Sequence, residues 1–147
     1  MRTILCLVAV CLVLVSCNRS TKKETLVQTQ EEVLEAKDYV EILYFHGKQR
    51  CATCMAIENN ARETIEANFV EQIKLGNVVF KVIDITKPEN EKIAEKYEVT
   101  WSSLFVVKHK GVEETLENMT EFAFGNARKS PDVFKERLVQ TINDMLK

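Results

Sequence analysis

Two cysteines separated by two residues, Cys51 and Cys54, are the side chains of this sequence with the clearest capacity for chemistry. They follow an apolar run, Val40 to Phe45, and a short basic loop, and a helical pattern begins directly after Cys51. A thiol at a helix N-terminus is favoured as the thiolate because the helix dipole places partial positive charge there. This spacing is suited to disulfide exchange, with Cys51 as the attacking nucleophile and Cys54 as the resolving thiol.

Three side chains near the pair are candidates for tuning its reactivity. Lys48 and Arg50 place cations beside Cys51, although Arg50 is equally consistent with a solvated loop charge. His46 could assist proton transfer, since an unperturbed imidazole titrates at about pH 6.5. A histidine at a strand end is more often simply packed or hydrogen-bonded. A second histidine, His109, follows the third predicted strand, and we expect it to be solvated.

The first 17 residues have the features of a signal peptide. Arg2 gives a positive start, and the apolar run over residues 4–15 is too short to span a bilayer as a helix. The end of this run resembles the lipobox, through Leu14, Ser16 and Cys17. That resemblance implies that residues 1–16 are removed and that Cys17 carries a lipid, which would hold the protein in the cell envelope on a bacterial membrane, facing the periplasm. The alternative is an ordinary secretory signal with a chance cysteine.

Processing of this kind would leave a single thiol pair in the mature chain. Cys6 and Cys11 lie in the segment to be removed, and Cys17 would be used by the lipid. A bridge between Cys51 and Cys54 closes a very short loop and constrains the unfolded chain little, so structural stabilisation explains the pair poorly. The cysteine count therefore favours a redox role over a disulfide scaffold.

Length and charge restrict the remaining possibilities. At 147 residues with 46% hydrophobic content, the chain can bury one core and is too short for two ordinary domains. With 20 Lys and Arg against 22 Asp and Glu, the chain has no excess of positive charge that would indicate nucleic acid as a partner. We expect a lipidated cysteine and polar tether over residues 17–30, and one domain over residues 31–147 that acts as a monomer.

Hydrophobic periodicity predicts an alternating α/β order with helices on both faces of a sheet. The predicted elements are a short helix near residues 29–36, strand 40–45, a helical pattern over 52–75, strand 78–85, helix 88–97, strands 103–107 and 112–116 around a turn at 108–111, helical sequence after Thr120 and a last helix over 131–146. The apolar stripe expected to be buried along the pattern after the thiols comprises Met55, Ile57, Ile65, Phe69, Val70 and Ile73.

Several stretches together resemble the thioredoxin-like superfamily over about residues 38–147. They are the strand Ile42-Leu43-Tyr44-Phe45 leading into Cys51-Ala52-Thr53-Cys54, the strand at 78–85, and Ala94-Glu95-Lys96-Tyr97-Glu98-Val99, which is similar to the family's A-x-K-Y-x-V segment. The resemblance implies a thioredoxin-like fold, with a central mixed sheet of four to five strands flanked by helices. It also implies a thiol-disulfide oxidoreductase with no cofactor beyond the redox-active disulfide Cys51–Cys54. Protein or small-molecule thiols and disulfides of the envelope would be its partners, and a membrane electron donor is a further candidate.

The sequence departs from that family at two positions. The family usually places a cis-proline opposite the thiol pair, where this chain has Trp101-Ser102-Ser103, with Ser103 nearest the proline's place. A cis bond before a non-proline residue costs ~3 kcal/mol, so we expect a trans peptide there. Trp101, Ser102 and Ser103 are candidates for substrate contact, with simple edge packing as the alternative for Trp101. Secondly, Tyr44 stands where the family often has the buried carboxylate that takes the proton of the second thiol.

Two functions other than exchange remain open from the sequence. Cys51 and Cys54 could hold Cu(I) or Zn, with His46 or Met55 as an added ligand, because soft thiolates suit both ions. Structural zinc normally takes four ligands, so a site within this chain would be sparse, and we expect no metal. The third hypothesis is a thioredoxin-like interaction module whose cysteines no longer turn over.

Overall fold

The computed structural model describes residues 37–147. The signal peptide, the lipidated Cys17, the tether and the short helix near residues 29–36 lie outside the described residues. Within the described part, no helix is both long enough and apolar enough to cross a membrane.

Four strands form one mixed sheet in the described range. They are β1 (Tyr39–His46), β2 (Val78–Asp84), β3 (Ser103–Lys110) and β4 (Glu113–Asn118), in the spatial order β2-β1-β3-β4. β1 runs parallel to β2 and antiparallel to β3, and β3 pairs antiparallel with β4 as a hairpin. The predicted α/β class with a mixed sheet is confirmed, with four strands in this part of the chain.

The helices that flank the sheet follow the predicted order. They are α1 (Ala52–Asn68), α2 (Val70–Lys74), α3 (Glu91–Lys96), which extends a 3₁₀ turn at Pro88–Asn90, α4 (Thr120–Asn126) and α5 (Pro131–Met145). The helical pattern over 52–75 is two helices, because Phe69 leaves helical geometry between them with φ −125° and ψ 30°. Gly76 adopts φ 71°, which glycine reaches without strain, and it stops α2 as predicted.

Strand β1 lies at the centre of the core and is covered on both faces. On one face Ile42 and Tyr44 pack in a cluster with α1, α4 and α5 side chains such as Ile57 and Phe134. On the other face Leu43 and its neighbours pack against the end of α3 and the residues that follow it. Burial of both faces confirms the prediction from the apolar run, and it fixes the end of β1, from which the thiol loop departs.

The predicted apolar stripe after the thiols is partly wrong. Met55 is 48% exposed, and Val70 and Ile73 are also exposed. Met55 is adjacent to the buried Cys54 and therefore points away from the covered face of α1, while the other two belong to α2 beyond the break. The side chains that α1 and Phe69 do bury are Cys54, Ile57, Ala61, Thr64, Ile65 and Phe69.

The hairpin and its histidine also differ from the prediction. β3 continues through the predicted turn to Lys110, and the turn lies at Gly111, which has φ 58°. His109 is partly buried: its ring stacks on Tyr39 at 4.3 Å between centroids, and its Nε2 lies 3.2 Å from a carboxylate oxygen of Glu41. The expectation of a solvated turn residue is wrong, because strand pairing places His109 directly opposite Tyr39.

Candidate active site

The thiol pair lies at the end of the sheet where β1 and β2 end and β3 begins. His46, the last residue of β1, pairs with Asp84 at the end of β2, and Phe45 pairs with Ser103 at the start of β3. The loop from β1 then leads to Cys51, which caps α1 in an extended conformation. Strand, loop and helix N-terminus thus meet in the order that the sequence predicts.

The two thiols are close together and differ in exposure. Both are free; Cys51 is exposed, whereas Cys54 is only 6% exposed. Their Sγ atoms lie 2.6 Å apart, and the backbone N–H of Cys54 donates to Cys51 Sγ at 3.2 Å. Cys51 therefore acts as the N-cap of α1, satisfying one of the N–H groups that a helix start leaves unpaired.

Hydrogen bonding lowers the pKa of the Cys51 thiol below its ordinary value. The Cys54 thiol is the largest cause, followed by the Cys54 backbone N–H, with the Thr53 backbone N–H a further donor. These donors stabilise the thiolate relative to the thiol. The first turn of α1 contains no acidic residue that would oppose them. The exposed thiol is therefore the one prepared for nucleophilic attack.

Tyr44 makes a contact with the thiol turn that the sequence does not reveal. Its side chain is fully buried on β1, and its hydroxyl donates to the carbonyl oxygen of Cys54 at 2.8 Å. Burial raises the pKa of Tyr44 to about 12, so the phenol remains a hydrogen-bond donor at neutral pH. The position that lacks the family's carboxylate thus holds a donor aimed at the backbone of the second cysteine.

Arg50 is partly buried and forms an ion pair with Glu58 of α1. Its guanidinium carbon lies 5.7 Å from the ring centroid of Tyr44. Arg62 also contacts Glu58, at 3.3 Å. Partial burial alone would raise the pKa of the Glu58 carboxyl, but the two arginines lower it overall. Glu58 is not among the residues that the sequence singles out, since its only local signal is the Glu58/Arg62 spacing of four residues on a helix.

The other basic candidates of the loop are placed differently. His46 Nδ1 lies 2.9 Å from the carbonyl oxygen of Gly47, so the ring N–H donates to the adjacent backbone. Its ring is also tilted against Tyr44, with centroids 6.2 Å apart. Lys48 is exposed. The structure therefore gives His46 a local backbone partner and leaves the Lys48 ammonium in solvent.

The loop before β3 lies at the same end of the sheet, because the start of β3 pairs with the end of β1. Trp101 is 57% exposed and rests against Phe124 of α4, with ring centroids 5.4 Å apart. Ser103 is buried and donates from Oγ to the Trp101 carbonyl oxygen at 3.1 Å, and Ser102 between them is half-buried. The described residues contain no cis peptide bond, which confirms the expected trans peptide before Ser103.

A metal held by the two thiolates would need further protein ligands beside them. In residues 37–147, no group of three or more His, Cys, Asp or Glu side chains is arranged to hold a metal ion. Two thiolates alone fall short of the four ligands that structural zinc normally takes.

Comparisons with known proteins give no close relative. No family model and no curated protein matches the chain. Among solved structures, one described as "Structure of a malarial protein" is 16% identical with a TM-score of 0.43, and it covers 71% of this chain and 97% of its own. The solution structure of a thioredoxin from Thermus thermophilus is 17% identical with a TM-score of 0.43, covering 80% of this chain and 81% of its own. At these values neither likeness carries an inference on the activity of this chain.

Proposed function

We propose that the protein is a thioredoxin-like thiol-disulfide oxidoreductase of the bacterial cell envelope, tethered to a membrane by a lipid on Cys17. The observation that carries the proposal is the pairing of an exposed N-cap thiol, Cys51, with a buried thiol, Cys54, whose Sγ lies 2.6 Å from Cys51 Sγ. An exposed low-pKa thiol beside a resolving thiol is the arrangement that disulfide exchange requires.

The exchange proceeds in two substitutions at sulfur. The Cys51 thiolate attacks one sulfur of a substrate disulfide; a Cys51–substrate S–S bond forms, the substrate S–S bond breaks, and the departing sulfur leaves as a thiolate that takes up a proton. Cys54 then loses its proton and attacks Cys51 Sγ, which forms the Cys51–Cys54 bond and releases the second substrate sulfur as a thiol. Two electrons pass to the substrate, and an external dithiol, such as a membrane electron donor would present, must reduce the pair again. Run in reverse, the disulfide form oxidises a substrate dithiol.

The geometry supports each step. Attack requires access, and Cys51 is exposed. Resolution requires Cys54 to reach Cys51 Sγ, and the two sulfur atoms are already 2.6 Å apart. Burial of Cys54 hinders external disulfides from reaching it, so the order of attack is fixed by exposure.

The sheet supports the thioredoxin-like assignment. The thiol pair follows a central strand that is parallel to one neighbour and antiparallel to the other, with helices packed on both faces. This is the arrangement that the resemblance in residues 38–147 implies.

The proposal is tested by equilibrating the full chain with reduced and oxidised glutathione. Mapping of the cysteines by mass spectrometry should find a Cys51–Cys54 disulfide that forms and disappears reversibly with the glutathione ratio. Cysteines that react independently, without an intramolecular bridge, would support the interaction-module alternative instead.

Replacing Cys17 with serine tests the proposed tether. We expect the variant to move from the membrane fraction to the soluble fraction, because the lipid supplies the membrane affinity at about 0.8 kcal/mol per buried CH₂ group. Cell fractionation measures the effect, and Cys11→Ser, in the segment to be removed, is the matched control that should stay with the membrane. A parent protein whose mass shows no acyl group on Cys17 would disprove lipidation at this residue.

A further inference from the structure

The hydroxyl of Tyr44 ties the central strand to the residue that carries the second thiol. Tyr44 has no exposed surface, so its ring is held by the core cluster that includes Ile57 and Ala61 of α1. The carbonyl oxygen of Cys54 can accept one hydrogen bond within α1, and the hydroxyl donates a second one to it at 2.8 Å. The first turn of α1 is therefore anchored to β1 at Cys54 itself.

Arg50 and Glu58 flank the same turn along the chain and form an ion pair with each other. Arg50 immediately precedes Cys51, and Glu58 lies one helical turn after Cys54. Their ion pair therefore spans both thiols along the chain, and the Arg50 guanidinium also lies against the Tyr44 ring. The side chains of Arg50 and Glu58 are only 27% and 16% exposed, so the pair is better shielded from solvent than an ordinary surface ion pair.

We propose that Tyr44, Arg50 and Glu58 are positioning residues that hold Cys54 in donor contact with Cys51, and thereby set how reactive Cys51 is. The proposal rests on the proposed exchange function, and it states which residues control the first step, the attack by the Cys51 thiolate. Two groups of Cys54 can donate to Cys51 Sγ: the backbone N–H, at 3.2 Å, and the thiol, which must be the donor of the pair once Cys51 is the thiolate. Whatever keeps Cys54 in place therefore keeps the Cys51 thiolate stabilised.

Other roles for these side chains fit the contacts less well. An arginine acting as counter-ion to the Cys51 thiolate would leave its charge available, whereas Arg50 is paired with Glu58. A tyrosine acting as proton acceptor for Cys54 would need a free or ionised oxygen. The Tyr44 hydroxyl instead donates to a carbonyl, and burial keeps its pKa high. The contacts of Tyr44 and Arg50 therefore fit a role in positioning Cys54, and not a role as a counter-ion or as a proton acceptor.

The variant Tyr44→Phe removes the hydroxyl and keeps the ring. The readout is the rate of iodoacetamide alkylation at Cys51 in the reduced full chain, followed against pH. We expect the titration midpoint of Cys51 to rise by about half a unit, a roughly threefold loss of thiolate at neutral pH, as weakening of one hydrogen bond implies. Tyr39→Phe on the other end of β1 is the matched control and should titrate like the parent protein. An unchanged midpoint in folded Tyr44→Phe would overturn the proposal.

The variant Arg50→Lys separates position from charge and does not depend on how Tyr44→Phe folds. Lysine keeps the positive charge but has no planar fork to bridge Tyr44 and Glu58. We expect the Cys51 midpoint to rise as in Tyr44→Phe. A parent-like midpoint would show that the planar fork of Arg50 is not needed to position Cys54 and would overturn its assignment here. Alkylation needs no substrate disulfide, so these results stand apart from the outcome of the glutathione test of the proposed function.

Discussion

Replacement of Cys51 by serine is expected to abolish disulfide exchange, with a rate loss on the order of 10³-fold or more, as removal of a catalytic nucleophile causes. Serine is among the preferred N-cap residues, so its hydroxyl can still accept the N–H that Cys51 Sγ accepts and α1 should begin at the same residue. An alcohol oxygen, however, cannot form the mixed disulfide. The measurement is the rate of mixed-disulfide formation with oxidised glutathione, with thermal unfolding as the check on folding.

A matched exchange elsewhere in the chain controls for the chemistry of the substitution. Cys11→Ser makes the same change in the segment predicted to be removed, and it should leave the exchange rate at its parental value. If Cys51→Ser retained exchange through Cys54, the assignment of nucleophile and resolving thiol would be reversed.

Replacement of Cys54 by alanine is expected to trap the Cys51 mixed disulfide. In the parent the resolving thiol lies 2.6 Å from Cys51 Sγ, and a held intramolecular group of this kind outcompetes external thiols by effective concentration. Without it, the mixed disulfide should persist on the order of 10³-fold longer or more in dilute external thiol. Alanine suits the buried site because it introduces no unpaired polar group.

The same variant also tests the cause of the low Cys51 pKa. Loss of the thiol donor should raise the pKa of Cys51, so the first attack slows at neutral pH while the trapped complex lasts longer. Mass spectrometry of the trapped complexes measures the lifetime and identifies the partners captured. A mixed disulfide that resolves as fast as in the parent would contradict the role of Cys54.

Local sequence was sufficient to predict the frame of the site. The apolar run at 40–45 predicts a strand covered on both faces, and the pattern after Cys51 predicts a helix that begins at the thiols; the structure has both. These features depend only on residue spacing within a short segment, so the periodicity of strands and helices is enough to predict them.

The contacts that define the site depend on pairings between segments. The Tyr44 hydroxyl reaches the Cys54 carbonyl only because β1 and α1 pack face to face, and Arg50 reaches Glu58 across the first turns of α1. The prediction that His109 is solvated was wrong for the same reason, because the register between β1 and β3 sets its neighbours. Periodicity carries no information on strand register or side-chain rotamers. The sequence alone therefore shows that position 44 has a tyrosine instead of a carboxylate, but not that its hydroxyl contacts Cys54.

The reduction potential of the Cys51–Cys54 pair, measured by equilibration with glutathione alongside the metal content of the reduced protein, tests the central claim most directly. The proposed function predicts one reversible two-electron transition that involves both thiols and is lost in Cys51→Ser. A value of about −270 mV indicates a reductant, and one of about −120 mV an oxidant. Failure to exchange with any dithiol, together with one equivalent of metal retained by the reduced protein, would contradict the oxidoreductase and identify a metal-thiolate protein instead.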